Sequence, residues 1–477
     1  MRIDKEIIMR RKVFTIIIAI FLLVTVSCSY RRSIPPNNSP VPKQDEKQAK
    51  VKTPQQKQPD KLAKSNKNSI EENINGIEIN SDKKLTDTAE SQGATQISVG
   101  VNQDEAVKIN GTADNISSSN VLQQFQTKLP SEIQYGVQYN RYDLSYDYFL
   151  ITNEKEVTIY KTPDPNDTIV CKAYSGEKLA LHQKVSGKAL GNSDVWYKVS
   201  CKMNGAINIG YIHSANGLVR TFSFDKMLAG LQALQKEISK GKLHFISNYK
   251  NVNGAPPSKN GAAVDQYGMR IYQSAPGYVQ ADTNSDFRYI PDGMLVRILD
   301  ETDAFYRVHA ITFDKELFVP KKYIDPNVTL NQLSNVVIVD RNQQNQASFK
   351  ISSSSIVLTS YTLATTGLKG NTSFETPLGY YKTIEKKERF QYLKDGTSEI
   401  AGYAPFAIRF SGGAYIHGVP VTYEDKNGEK IDPGIKEYLQ TIGTFPRSHM
   451  CVRNFSSHAE FLYNWINIDN GAIIVIE

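Results

Sequence analysis

Three kinds of hydrophobic pattern follow one another along the chain. The first is a block: residues 13–26, fourteen mainly apolar positions, follow Arg10-Arg11-Lys12. A block of that length behind a basic start is too short to span a bilayer and reads as a secretory signal over 1–28. The second is an absence of pattern. Residues 29–134 are rich in Pro, Gln, Lys, Ser and Asn, with stretches such as Pro35-Pro36-Asn37-Asn38 and Thr53-Pro54-Gln55-Gln56-Lys57. Such a segment cannot bury enough apolar surface to offset its ordering entropy, which predicts a disordered arm. A flexible coil of this length has an end-to-end distance on the order of 55 Å, and it serves either as a tether or as a spacer of no specific role.

The third pattern is short alternation. Val157-Thr158-Ile159-Tyr160, residues 178–181, Trp196-Tyr197-Lys198-Val199 and Ile209-Gly210-Tyr211-Ile212 are β-type runs separated by turn residues. Arg270-Ile271-Tyr272, residues 294–299, Phe305-Tyr306-Arg307-Val308 and Leu317-Phe318-Val319 repeat the order at an offset of 272 − 160 = 112. Both sets predict small β-barrels, over 135–222 and 244–328. Trp196 and Tyr211 suit a barrel core, although a ligand groove uses such aromatics as well. Between the barrels the period becomes helical: Met227, Leu228, Leu231, Leu234 and Ile238 share one face, with Ser223 as N-cap and Gly241 as stop. Segment 223–243 is therefore read as a packing helix joining the barrels. The remainder, 329–477, holds a strand-like run at 406–410 and a helix-like run at 457–466, whose Ser457-His458-Ala459-Glu460 reads as a capping box.

A length of 477 residues is too much for one core and implies roughly three folded units. A net charge of +7 suits an anionic wall or lipid surface and does not argue for nucleic acid. Walker loop, zinc-type cysteine spacing and dinucleotide fingerprint are all missing. His182, His213, His244, His309 and His458 show no spacing that suggests a metal site, so neither cofactor nor metal is expected. Nothing in the pattern fixes an oligomeric state.

Four cysteines remain to be placed. Cys28, after the small Ser27, looks like a lipoprotein attachment site, which would anchor the mature chain by an N-terminal lipid. An uncleaved anchor and plain cleavage are the alternatives; in each case the rest of the chain is exported to the periplasmic face of the envelope. Cys171 and Cys201 both fall in the first barrel, where a disulfide and two buried free thiols are equally open. With those paired and Cys28 lipidated, Cys451 is the odd thiol.

Cys451 sits in Phe445-Pro446-Arg447-Ser448-His449-Met450-Cys451-Val452-Arg453-Asn454, and Ala414-Tyr415-Ile416-His417-Gly418 precedes it. A cysteine attacks a carbonyl as thiolate and needs a cation, a histidine or a helix N-terminus to reach that form. His417 is the candidate base. The helix starting a few residues beyond Cys451 favours the thiolate if its dipole points at the sulfur. The bland alternative makes both residues part of an inactive core.

The Ser-His-x-Cys-Val-Arg-Asn run and His417-Gly418 resemble the signature of the L,D-transpeptidase catalytic domain (YkuD type), whose usual form is Ser-His-Gly-Cys followed by an apolar residue and Arg or Asn. Residues 335–349 resemble that family's opening hairpin. Ala364-Thr365-Thr366-Gly367 with Thr376-Pro377-Leu378-Gly379-Tyr380-Tyr381 resembles its TG…TPxGxY segment. The two barrels resemble bacterial SH3 domains, which in cell-wall enzymes commonly bind peptide or glycan. The implied fold is mainly β: a disordered arm, two SH3-like barrels and a C-terminal β-rich catalytic domain.

The resemblance implies that Cys451 is the nucleophile, His417 the general base and the Gly418 carbonyl the group orienting that ring. His449 and Arg453 would line the substrate groove, and Ser448 would hydrogen-bond within the motif loop. The implied partner is a peptidoglycan stem peptide, cut between its third residue, a diamino acid, and its D-alanine. The thioester so formed passes to an amine as a 3→3 cross-link or a protein attachment. With water as acceptor the same site is an L,D-carboxypeptidase or endopeptidase; with no chemistry it leaves a wall-binding lipoprotein. His449 serves equally as a loop brace, and Arg453 as a carboxylate clamp or a surface ion pair. Two departures stand out. Met450 occupies the family's glycine position, which implies an altered oxyanion hole. The step from His417 to Cys451 is 451 − 417 = 34, about twice the family's usual spacing. The excess, 423–439 with the turn Asp425-Lys426-Asn427-Gly428, is either a lid or a surface insertion.

Overall fold

The computed structural model describes residues 120–477 apart from 204–205, 259–260, 262, 371–372 and 395–396. The signal segment, Cys28 and residues 29–119 lie outside the described residues. Among those described the fold is mainly β.

In the first β unit, Lys178–Leu190, Ser193–Met203 and Ala206–His213 form an antiparallel meander. Val157–Tyr160 and Ile169–Ala173 extend it on one side, Asp147–Ile151 and Gly217–Thr221 on the other. Trp196 and Tyr211 are buried in its interior, the Trp196 indole N–H donating to the Lys188 carbonyl at 2.9 Å. Cys171 and Cys201 are disulfide-bonded in a second core cluster of this unit, with Phe149, Leu179 and Val199. Val121–Gln124 adds a strand to Lys178–Leu190, and Ile133–Tyr135 pairs in parallel with Ile356–Leu363 near the other end of the chain. Ordered structure thus begins inside the stretch 29–134 that composition assigns to disorder. These strands are joined through backbone N–H and C=O groups, which every non-proline residue carries, so side-chain composition gives no sign of them.

The second unit orders its strands His244–Phe245, Leu295–Glu301, Phe305–Ala310, Lys315–Pro320, Ser274–Tyr278 and Phe287–Pro291. Both units share a three-stranded meander whose last strand pairs with an earlier one, at Tyr160↔Tyr211 in the first and Tyr278↔Phe318 in the second. The equivalent residues are therefore Tyr160 and Tyr278, offset by 278 − 160 = 118 rather than 112. Arg270-Ile271-Tyr272 is not a strand: Arg270 makes a single bridge with Val264.

Helix α1 (Phe224–Ser239) lies where its periodicity predicts, although Ser223 makes no side-chain cap hydrogen bond. Its apolar face does more than join the two units. Met227, Leu231 and Leu234 share one core with Val336, Ile338 and Ile474 of the C-terminal domain. That domain is built on two sheets. The first runs Gly379–Lys382, Gly471–Ile476, Asn335–Asp340, Asn345–Ile351, Ile356–Leu363, with Gly471–Ile476 parallel to Asn335–Asp340. Strand alternation assigns its two faces: Val336, Ile338, Ala472 and Ile474 face α1, while Val337, Val339, Ile473 and Val475 face the second sheet and the second β unit. The second sheet runs Glu385–Leu393, Ile400–Ser411, Ala414–His417, Val452–Arg453. One continuous core joins Ile290, Val296 and Val308 of the second unit to Ile408, Ile416 and Val452 of this sheet. Contact there is close enough that a Cβ on Gly293 would come 1.8 Å from the Phe410 carbonyl oxygen.

Candidate active site

Sheet register sets the two candidate catalytic residues on one face. Val452–Arg453 pairs in parallel with Ala414–His417, Ile416 opposite Val452 and His417 opposite Arg453. Opposed residues point to the same side of a sheet and successive ones to opposite sides. One step back along the register places Cys451 level with Tyr415, so Cys451 and His417 leave the same face as diagonal neighbours. The Asn454 amide donates to the His417 carbonyl at 2.9 Å and continues the pairing.

His417 is 3% exposed and its Nδ1 lies 2.6 Å from the Gly418 carbonyl oxygen. A carbonyl only accepts, so Nδ1 carries the proton and Nε2 keeps its lone pair. Burial pushes the pKa of this ring down to about 4, and the Arg453 charge adds to that shift against the Gly418 hydrogen bond. Cys451 is a free, partly exposed cysteine whose Sγ–H donates to the Gly413 carbonyl at 3.5 Å. Desolvation raises the thiol pKa, opposed by a hydrogen bond from the Tyr415 backbone and by Arg453. At rest, then, Cys451 is a thiol and His417 a neutral imidazole.

The TG…TP segment holds the Cys451 loop on both sides. Thr365 and Arg453 exchange two backbone hydrogen bonds of 2.9 Å, and the Leu368 amide donates to the Ser448 carbonyl at 2.9 Å. The Thr376 hydroxyl accepts from the Gly367 amide at 2.8 Å and donates to the Met450 carbonyl at 2.9 Å. Ser448, buried, donates through Oγ to the Cys451 carbonyl and accepts the Met450 amide at 3.3 Å, so it braces the loop from within. Met450 does stand in a glycine-type conformation, at φ 118°, with its side chain 6% exposed. His449 lies on the exposed side of the loop. Burial lowers the pKa of Arg453, whose Nε is buried with no hydrogen-bond partner among the described residues.

Two sequence expectations need correction here. The capping box does not form: helix α2 spans Ser456–Trp465 with Phe455 at its N-cap position, two places before Ser457. Glu437 caps it instead, accepting the Ser457 amide at 2.9 Å as well as the Ser457 hydroxyl. Glu437 belongs to the excess segment 423–439, which is therefore neither a free lid nor a plain surface insertion. Its first part is an exposed hairpin, Glu424–Lys426 and Glu429–Ile431, turning at Asn427 and Gly428 with positive φ. Its last part is fastened under α2, with Tyr438 stacked on Phe455. Sequence reasoning also misses Gly413, Thr376 as a brace, and Asp292. Gly413 has a local signal in the small-residue run Ser411-Gly412-Gly413-Ala414 and Thr376 lies in the TPxGxY segment, whereas Asp292 has neither.

Residues 334–476 match the L,D-transpeptidase catalytic domain, the YkuD family. Within that domain fall His417, Cys451 and every residue of the loop described above. No curated protein matches the chain. Similar solved structures include a fused Zn-dependent amidase/peptidase/peptidoglycan-binding protein from Clostridium acetobutylicum (14% identity, 30% of this chain and 51% of that one, TM-score 0.21). An L,D-transpeptidase from Stackebrandtia nassauensis matches at 17% identity over 32% of this chain and 59% of that one, TM-score 0.22. One from Mycobacterium smegmatis matches at 16% over 40% and 89%, TM-score 0.24. The chain thus spans 51% and 59% of the length of the first two.

Proposed function

We propose that this protein is an exported peptidoglycan L,D-transpeptidase with Cys451 as nucleophile and His417 as general base. The observation that carries the reading is the family match over 334–476, within which sheet register sets Cys451 and His417 on one face. As the sulfur attacks the carbonyl between the diamino acid and D-alanine of a stem tetrapeptide, its proton moves to His417 Nε2. Because thiol and imidazole are both neutral at rest, that transfer accompanies attack. Gly418 holds the ring in the required tautomer and stabilises the imidazolium. The imidazolium returns the proton to the departing D-alanine amine, leaving a thioester on Cys451. The amine of a neighbouring stem, or of a protein, attacks that thioester; its proton passes through His417 to the leaving sulfur, and a 3→3 link or protein attachment results.

Arg453, partly exposed, receives a stem carboxylate through its guanidinium, and the exposed His449 contacts the peptide. The two β units are SH3-like and bind wall components, and Cys28 carries the lipid from which the arm extends the enzyme into the periplasm. Incubation of the purified protein with muropeptides tests the reading. It is expected to yield 3→3 dimers that disappear in Cys451→Ala, and a carbapenem is expected to add its mass to Cys451. Trimmed monomers alone would make the protein a hydrolase, and no adduct on folded protein would leave a wall-binding lipoprotein.

A further inference from the structure

The carbonyl that accepts the Cys451 thiol belongs to the turn Gly412-Gly413, between Ile400–Ser411 and Ala414–His417. What holds that turn comes from outside 334–476. Asp292 directly follows strand Phe287–Pro291 of the second β unit and is 2% exposed. Its Oδ1 accepts the Asn248 amide at 2.7 Å; its Oδ2 accepts Arg409 Nη1 at 2.7 Å and the Gly412 amide at 3.0 Å. Its own amide donates to the Gln273 carbonyl at 2.9 Å. Gln273 packs on the same turn, its side chain 3.4 Å from where a Gly412 Cβ would stand, and its Oε1 accepts the Lys250 amide at 3.1 Å.

A second line of contacts reaches the strand beside the sulfur. The Arg409 guanidinium lies 4.2 Å from the centre of the Tyr249 ring and 3.6 Å from Glu385, and Glu385 accepts the Tyr415 hydroxyl at 3.3 Å. Backbone conformation marks the same patch. Lys250, Asn251 and Gln273 have φ of 54°, 56° and 65°. Left-handed non-glycine residues persist where surrounding structure holds them, and they cluster at working sites. A buried ion pair is weak evidence for stability, since well-packed apolar groups serve that end as well. Here the pair spans two domains and ends on the turn that faces the nucleophile.

We propose that Asp292 is a positioning residue for Cys451: through Gly412 it fixes the Gly413 carbonyl against the thiol, so that the second β unit is a wall of the active site. Only the kinetic readout below rests on the transpeptidase reading. In full-length protein, alkylation of the Cys451 peptide by iodoacetamide, followed by mass across pH, reports the thiol directly. Loosening Gly413 removes a hydrogen bond to the protonated form. Asp292→Asn is expected to lower the alkylation midpoint by about half to one pH unit. It is expected to cut kcat on stem peptides about tenfold or more, with KM within about twofold, and Asp292→Glu should recover part of both.

Charge alone would also move the midpoint in Asp292→Asn, so the neutral Gln273→Ala separates geometry from charge. It is expected to shift the midpoint the same way by a smaller step, and it stands in if Asp292→Asn does not fold. An unmoved midpoint in folded Gln273→Ala overturns the proposal, as does an unmoved midpoint in folded Asp292→Asn. A shifted midpoint in both variants, in a protein that turns over no stem peptide, supports the positioning role while removing the transpeptidase reading.

Discussion

Met450 allows the strain in the Cys451 loop to be weighed by comparing two substitutions. Its φ of 118° lies where side chains other than glycine's rarely sit. It is held there by the Thr376 hydroxyl on its carbonyl, by Ser448 Oγ on its amide, and by Gly367, whose Cβ would come 2.7 Å from the Met450 Cα. Such a conformation costs about 1–3 kcal/mol. The side chain offsets that cost by packing in the core shared by the second sheet and the second β unit. Met450→Ala removes the packing and keeps the strain, so it is expected to destabilise by about 2–5 kcal/mol. Met450→Gly loses the same packing but relieves the strain, against an unfolded-state entropy cost of about 0.5–1 kcal/mol. The difference leaves glycine more stable than alanine by roughly 0.5–2 kcal/mol, the reverse of their order in a helix or strand interior. Urea titrations with equal m-values measure it. If Met450→Ala proves as stable as Met450→Gly or more so, the loop is not strained at this residue and the argument is wrong.

Three further outcomes are expected. His417 and His458 are buried with pKa values depressed to about 4 and about 3. Below the ordinary histidine value near 6.5 the unfolded chain binds protons that the native state refuses, so stability falls as pH drops from about 6.5. For His417 alone the loss approaches about 3 kcal/mol once pH falls below about 4; urea midpoints against pH should show this, and His458→Gln should flatten the slope. Reducing Cys171–Cys201, which closes a 30-residue separation, should cost the first β unit about 3–4 kcal/mol, seen as an earlier urea transition with dithiothreitol; an unmoved transition would contradict it. Glu437→Ala should cost about 1–2 kcal/mol through the lost helix cap, whereas Glu460→Ala stays within about 0.5 kcal/mol; equal losses in thermal melts would restore the capping box.

The strands around 157–160, 196–199, 209–212 and 305–308 and helix α1 follow from local period, because each buries one face and the spacing of apolar residues records which. The opening hairpin and the His417 and Cys451 segments are equally local, since small residues and turn formers set them out along the chain. The repeat offset was misread because Arg270-Ile271-Tyr272 has strand composition while Tyr278 holds the strand position, and only pairing to Phe318 distinguishes them. The α2 cap was misread for a similar reason: Ser457 and Glu460 have the right spacing, but Glu437, twenty residues earlier, reaches the helix N-terminus first.

By itself, then, the sequence determined most of the strands, helix α1, and which cysteine and histidine are the candidates for chemistry, because those readings rest on neighbours within a few positions. The tertiary structure alone decided that Cys451 and His417 share a face, that Val121–Gln124 and Ile133–Tyr135 enter sheets, and that Asp292 reaches across to Gly412. Each of those depends on backbone register or on a buried charge finding its partner, and such pairings join residues whose separation along the chain no local pattern encodes.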